Sequence, residues 1–265
     1  MVGWLVGWLA HWKICVGRPE FSPAAAFAHL RVLRLTDRCR TLHRPCGRPL
    51  PHRYRFKQLV AMLKGSDSEH GAEAALALAS VTGCNQGADQ AMEAGALLPL
   101  VALVEDPAAD AEGRRNAARA LGHVARSSEA ARKRLDGAGA TIALAKALMD
   151  TELDTYARAA AAEALDNLAR GTQPHGDERR MQAIADTGCL PALVALLGAP
   201  DRHSREVAAA ATYALAYSET PRRNSLREAG APDALKAAAA QGGSAAWWAS
   251  QSLARIDAEA AAQAA

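Results

Sequence analysis

An all-α, right-handed solenoid of about five stacked helical repeats is the fold this sequence predicts, and three observations predict it. GALLPLVALVEDP, from Gly95 to Pro107, returns almost intact as GCLPALVALLGAP, from Gly188 to Pro200. A second phrase, rich in alanine around a leucine, follows each copy, at Asn116–Ala125, Ala160–Ala169 and Ala210–Tyr217. The offset between the two phrases hardly varies: the marker leucine lies 26 residues after the opening glycine at Leu121 and Leu165, and 27 after it at Leu215. Self-similarity held in register marks a repeat array, whose units bury their apolar faces only against one another.

The opening glycines Gly95, Gly139, Gly188 and Gly230 step by 44, 49 and 42 residues, within the range of two- or three-helix solenoid repeats. An upstream unit is marked by Leu78 and a downstream one by Leu253. Around Leu121, the residues Ala117, Ala118, Val124 and Ala125 lie at −4, −3, +3 and +4, which makes one apolar stripe of a 3.6-residue helix. Alanine at −3 and −4 lets a neighbouring helix approach closely. A glycine ahead of each apolar run suits a tight turn, and Pro99, Pro191 and Pro232 fall in a first helical turn, where a missing N–H costs nothing. Each unit therefore reads as a short helix, a turn, an apolar helix, a polar loop and a longer alanine-rich helix. The shortened last unit ends its second helix at Gly242-Gly243-Ser244, and the final long helix is expected from Ala245 to about Ala260, with Trp247 facing outward and Trp248 nearer the neighbouring helices.

The pattern Gly-x-(x)-x-Pro-x-Leu-Val-x-Leu-Leu followed by Ala-Ala-x-Ala-Leu-x-Asn-Leu-Ala resembles the armadillo repeat, over about residues 57 to 257, with Asp166-Asn167-Leu168-Ala169 as a close copy of the second half. The resemblance implies a non-enzymatic scaffold that binds an extended partner in a groove whose concave surface is lined by the long third helices. No phosphate loop, nucleophile elbow or zinc-protease helix argues otherwise. His175, Asp177 and Glu178 read as a solvated insertion that lengthens one repeat to 49 residues. No cofactor, metal or small-molecule substrate is expected.

Positions two before and two after the marker leucine lie about 160° from it on the helix. With the position six before, they predict the partner-binding residues Arg115, Arg119 and His123, then Glu163 and Asn167, then Tyr213 and Tyr217, and lastly Trp247, Gln251 and Arg255. The remaining sites of the ladder are Ala72, Leu76, Ser80, Ala159 and Ala209. Import adaptors of the importin-alpha type are similar in fold but carry Trp at −2 and Asn at +2, repeated. Here the −2 sites hold Leu76, Arg119, Glu163, Tyr213 and Gln251, and Asn167 alone matches at +2, so capture of lysine-rich signals by such an array is not expected. The expected partner is a protein or peptide segment, acidic toward Arg115 and Arg119 and apolar toward Tyr213 and Trp247.

The net charge of +3 divides unevenly: residues 1–56 carry nine Arg and Lys13 against Glu20 and Asp37, for +8, and the remainder nets −5. Residues 1–53 form a basic arm without repeats, and 54–265 the solenoid. The arm opens on a short apolar run without a positive leader, and Ala24-Ala25-Ala26-Phe27-Ala28 resembles the cleavage signature of complex-plastid presequences. A presequence, a disordered extension and a misassigned start all remain open. The alternative function is an organelle-targeted or membrane-associated armadillo protein whose arm carries localisation or nucleic-acid contact, although nucleic acid and membrane are not the expected partners. Cys39, His43, Cys46 and His52 match no standard zinc finger, and the interspersed Pro45, Pro49 and Pro51 break the helix a finger needs. Cys84 and Cys189 read as small buried thiols. Five scattered cysteines form no disulfide framework, which makes a reducing compartment, cytoplasmic or nuclear, the default expectation. A chain beginning near Tyr54 should keep its helical circular dichroism and its partner binding; loss of helix on that truncation would move the domain boundary.

Overall fold

A computed structural model describes residues 53–263, apart from 66–67, 171–175 and 218–219. The basic arm, its cleavage-like stretch and its cysteine–histidine cluster lie outside the described residues. Among those described there are fourteen α-helices and no strand. A two-helix unit, α1 (Arg53–Leu63) and α2 (Ser68–Val81), opens the array. Three-helix units follow: α3 (Asn85–Glu93), α4 (Leu97–Glu105) and α5 (Ala111–Ser127); then α6 (Glu129–Gly137), α7 (Ala140–Met149) and α8 (Thr155–Ala169). The last two are α9 (Glu178–Asp186), α10 (Leu190–Leu196) and α11 (Arg202–Leu215), and α12 (Thr220–Glu228), α13 (Ala231–Ala240) and α14 (Gly243–Gln263). The chain is an all-α solenoid of armadillo-like repeats.

The repeat glycines do the job their spacing implies. Gly95, Gly139, Gly188 and Gly230 have φ of 80°, 76°, 77° and 81°, a left-handed conformation that turns each first helix sharply into the second. Asp110, Asp154 and Asp201 then cap the third helices, each carboxylate accepting the N–H of the residue three further on. Successive third helices α2, α5, α8, α11 and α14 pack side by side in a row. The stripe around Leu121 is buried throughout, as is its counterpart around Leu165, and around Leu78 all but the half-buried Val81 is covered. Contact is close where Gly122 meets α8: a Cβ on that glycine would lie 3.1 Å from the Ala164 Cα. Only the smallest residues permit that approach, so the composition of the third helices sets the spacing of the stack.

Arginine carries the junctions, which the repeat pattern did not announce. Arg114 and Arg158, both seven before their marker leucine, donate Nε–H to the carbonyls of Val104 (2.9 Å) and Leu148 (3.1 Å), closing the C-terminal ends of α4 and α7. From the first helices, Arg132 donates to the Ala125 carbonyl (2.8 Å) and Arg222 to that of Leu215 (3.0 Å), closing the preceding third helices. Arg180 instead spans two repeats, with Nη2 2.7 Å from Glu129, Nε 2.7 Å from Asp136 and Nη1 3.0 Å from Asp177. Arg222 repeats the device one unit on, pairing with Glu178. Asp177 also caps α9, so the two acids of the expected solvated insertion are structural.

The last helix starts slightly earlier and ends slightly later than the sequence implies, and Trp247 is the more exposed of the two tryptophans, which supports the register assigned there. Cys189 is fully buried, whereas Cys84 is half-buried and caps α3 through its sulfur.

Gly139 and Gly137 make a matched test, since a Cβ at either meets nothing within 4 Å. Gly139→Ala should lower the unfolding free energy by about 1 kcal/mol through backbone strain alone, while Gly137→Ala, at a helical φ, should cost nothing in the same urea titration. The hydrogen bonds from Arg180, ahead of those from Arg132, hold the Glu129 carboxyl down from 4.5 to about 2. A depressed folded-state value means this stabilisation is complete above about pH 4.5 and disappears as pH falls toward about 2. Urea midpoints measured across that window should decline less steeply in Glu129→Gln than in the parent chain.

Candidate functional site

The row of third helices carries the residues expected to meet a partner, and the structure sorts them by what each can offer. Arg119 and Gln251 are exposed. Arg115 is half-buried, with its guanidinium 3.3 Å from Glu112 on the same helix. Glu163 is half-buried. Asn167 is 9% exposed, which departs from the outward position its helical angle suggests. Ala159 and Ala209, six before their leucines, are fully buried. That position lies about 40° beyond the −2 site, on the side that the next third helix covers; in the first unit the corresponding Ala72 sits against Gly113 at the start of α5.

His123 does not stand free as a cation. A ring nitrogen lies 2.9 Å from the Ala79 carbonyl of the preceding third helix, and burial lowers the pKa of the imidazole. The basic end of the row is therefore Arg115 and Arg119 without His123. Arg126, five after Leu121, adds an exposed guanidinium there and reaches the Gly83 carbonyl at 3.5 Å.

The opposite end of the row is aromatic. Trp247 packs edge-on against Trp248, with ring centroids 4.6 Å apart, and Tyr213 lies 5.1 Å from Trp248 and 6.2 Å from Trp247. Such tilted and edge-on arrangements suit the ring quadrupoles and hold the rings rigidly. The Arg255 guanidinium sits 3.7 Å from the Tyr213 ring centroid and 3.9 Å from that of Tyr217, and it donates to the Tyr213 carbonyl and hydroxyl. Arg255 thus fastens α14 to α11 by cation–π contact and is not a freely offered charge. Trp247 stays 55% exposed on this platform.

Beside the tyrosines, where α8, α9 and α11 converge on Trp248, lies a cleft of about 150 Å³. Arg170 stands at it, held by Asp166, whose carboxylate accepts Nε–H at 2.9 Å and Nη2–H at 2.6 Å. Burial pushes the Asp166 carboxyl up, while its hydrogen bonds to Arg170 raise the guanidinium further. The ladder of −6, −2 and +2 positions reached this cleft at Tyr213 and Tyr217 and missed Arg170, Met181, Ala214 and Trp248. The one signal in the sequence was that Arg126 and Arg170 occupy the same +5 register. Among the described residues, no cluster of histidine, cysteine and acidic side chains could hold a metal ion.

Neither a protein-family model nor a curated protein matches the chain. Solved structures do. A designed armadillo repeat protein in complex with the peptide (KR)4 superposes with a TM-score of 0.70 at 24% identity, covering 89% of this chain and 95% of its own. An engineered protein shares 30% identity at a TM-score of 0.69, over 77% of this chain and 81% of that one. A computationally designed armadillo repeat protein for modular peptide recognition shares 28% identity at a TM-score of 0.66, over 76% and 81%. The fold and its row of third helices define an armadillo-repeat scaffold, and the chain is an armadillo-like repeat protein.

Proposed function

We propose that this protein is a non-enzymatic scaffold that holds an extended or helical segment of a protein partner along the row of third helices. Trp247 carries the reading: a half-exposed indole, buttressed by Trp248 and Tyr213, is a rigid apolar anchor already held in place. Structural neighbours include a designed armadillo protein in complex with a peptide, which supports a segment laid along this face. The charge on this face differs from what a basic peptide such as (KR)4 would seek. Arg119 and Arg126 are exposed on it, and Arg115, Arg170 and Arg255 stand beside them with Glu112 and Asp166 as partners of the first two, while the solenoid as a whole is net acidic. An acidic segment complements that arrangement, with its carboxylates toward Arg115 and Arg119 and an apolar residue toward Trp247.

With a partner recovered by affinity capture, Trp247→Ala should weaken binding by about 1 to 3 kcal/mol with little change in salt dependence. Arg119→Glu should instead slow association, most at low ionic strength, because screening removes that contribution at high salt. Ile142, exposed on the second-helix row, supplies the control. Binding that survives both changes but is lost in Ile142→Arg would sink the reading.

A further inference from the structure

The cleft beside Tyr213 is built to do something the exposed indole cannot, which is to enclose a side chain. Its walls are Ala169, Met181, Ala214, Tyr213, Tyr217 and Trp248, more apolar than polar, with Arg170 completing the lining. Its volume of about 150 Å³, open on one side, is enough for a phenylalanine ring or a leucine side chain. Gly176 keeps one side close-packed, since a Cβ there would come within 2.5 Å of the Met181 Cε.

Arg170 supplies the polar half of the site. Among the described residues both of its hydrogen bonds go to one oxygen of Asp166, through Nε and Nη2, and Nη1 has no partner there on a side chain 52% exposed. Asp166 is only 8% exposed, so it fixes the guanidinium from below without neutralising the edge that faces outward. A guanidinium held by one edge offers the other to a carboxylate, and a buried acid that does nothing but orient it makes that geometry persistent.

We infer that this cleft is an anchor pocket for one leucine- or phenylalanine-sized side chain of an acidic partner segment, and that Arg170 pairs with a carboxylate one or two residues away from that anchor. The inference rests on the scaffold reading above and adds the residue chemistry that the partner must carry. It also separates two apolar contacts on this end of the row. Trp247 offers a surface for stacking, whereas the cleft selects by size. Charge complementarity favours the acidic segment: Arg255 lies against Tyr213, Arg170 lines the same cleft, and the carboxylate that holds Arg170, Asp166, is buried beneath it.

Fluorescence anisotropy with labelled synthetic peptides tests it on the whole chain. One dodecapeptide is glutamate-rich with a single central phenylalanine, a second has alanine in its place, a third has glutamine beside the phenylalanine, and (KR)4 is the basic control. The phenylalanine peptide should bind at least about tenfold more tightly than the alanine peptide. Ala214→Leu, which fills the cleft, should erase that difference and leave the alanine peptide unaffected. Arg170→Gln should weaken the peptides with glutamate beside the anchor and spare the one with glutamine. A diazirine analogue of leucine at the anchor should cross-link to Met181 or Ala214, a readout that needs no variant to fold. If none of the three acidic peptides binds, the scaffold reading and this one fail together. If the phenylalanine and alanine peptides bind alike, or the cross-links stop at Trp247, the pocket assignment alone is overturned. Self-association of the parent chain that Ala214→Leu abolishes would assign the cleft to a second copy and overturn it too.

Discussion

Close approach between consecutive third helices is the constraint on which the rest of this structure depends. A repeat of some 44 residues has no interior of its own, so its apolar stripe must be covered by the next copy. Coverage requires helices near enough to exclude water, and side chains beyond alanine would hold them apart. That is why Gly122 faces Ala164, why the position four before the marker leucine is alanine in every copy, from Ala74 to Ala249, and why Tyr156 is the one aromatic residue of the sequence between Phe56 and Tyr213. Small residues lower the apolar area gained per position. The chain offsets this with many contacts of the same kind and with arginines that satisfy the carbonyls left open at each helix end.

Those arginines explain how a stack of small residues keeps one register. Alanine surfaces are smooth, and a smooth interface permits sliding. A guanidinium that must reach the Val104 or Leu148 carbonyl, or the Glu129 and Asp136 carboxylates at once, does not. Removing a carboxylate from Arg180 would strand a charge that is nine-tenths enclosed, so these junctions are costly to break even where their net contribution to stability is small.

Much of the fold was legible in the sequence because its requirements leave marks that single residues must satisfy. A left-handed turn asks for glycine, and Gly95, Gly139, Gly188 and Gly230 answer at measurable steps; a close helix contact asks for small residues, and the alanines before Leu121 and Leu165 supply them. The candidate site was less legible. An angle on a helical wheel gives the direction of a side chain but not how far the next helix overlaps it, so Ala159 and Ala209 pointed the right way round the helix and were nevertheless covered. His123 and Arg255 failed as free charges for another reason. Both are +2 residues whose polar atoms reach the preceding third helix, to the Ala79 carbonyl and to Tyr213, across 44 and 42 positions of sequence. Contacts of that span exist only once the stacking distance is known.

Arg255 also bears on what this face can recognise. Two aromatic rings that flank a guanidinium at 3.7 and 3.9 Å form a slot suited to a cation, and in this chain the cation comes from the protein itself. Filling the slot internally closes it to a lysine or arginine of a partner and leaves one net positive charge between Tyr213 and Tyr217. Burial makes that charge expensive to keep and lowers its pKa, but the ring faces and the Tyr213 carbonyl and hydroxyl hold it in place. The same side chain therefore locks α14 onto α11 and sets the sign of the potential at the aromatic end of the row. A basic segment would meet repulsion there as well as at Arg119, whereas an acidic one would find attraction at both ends and apolar surface between them.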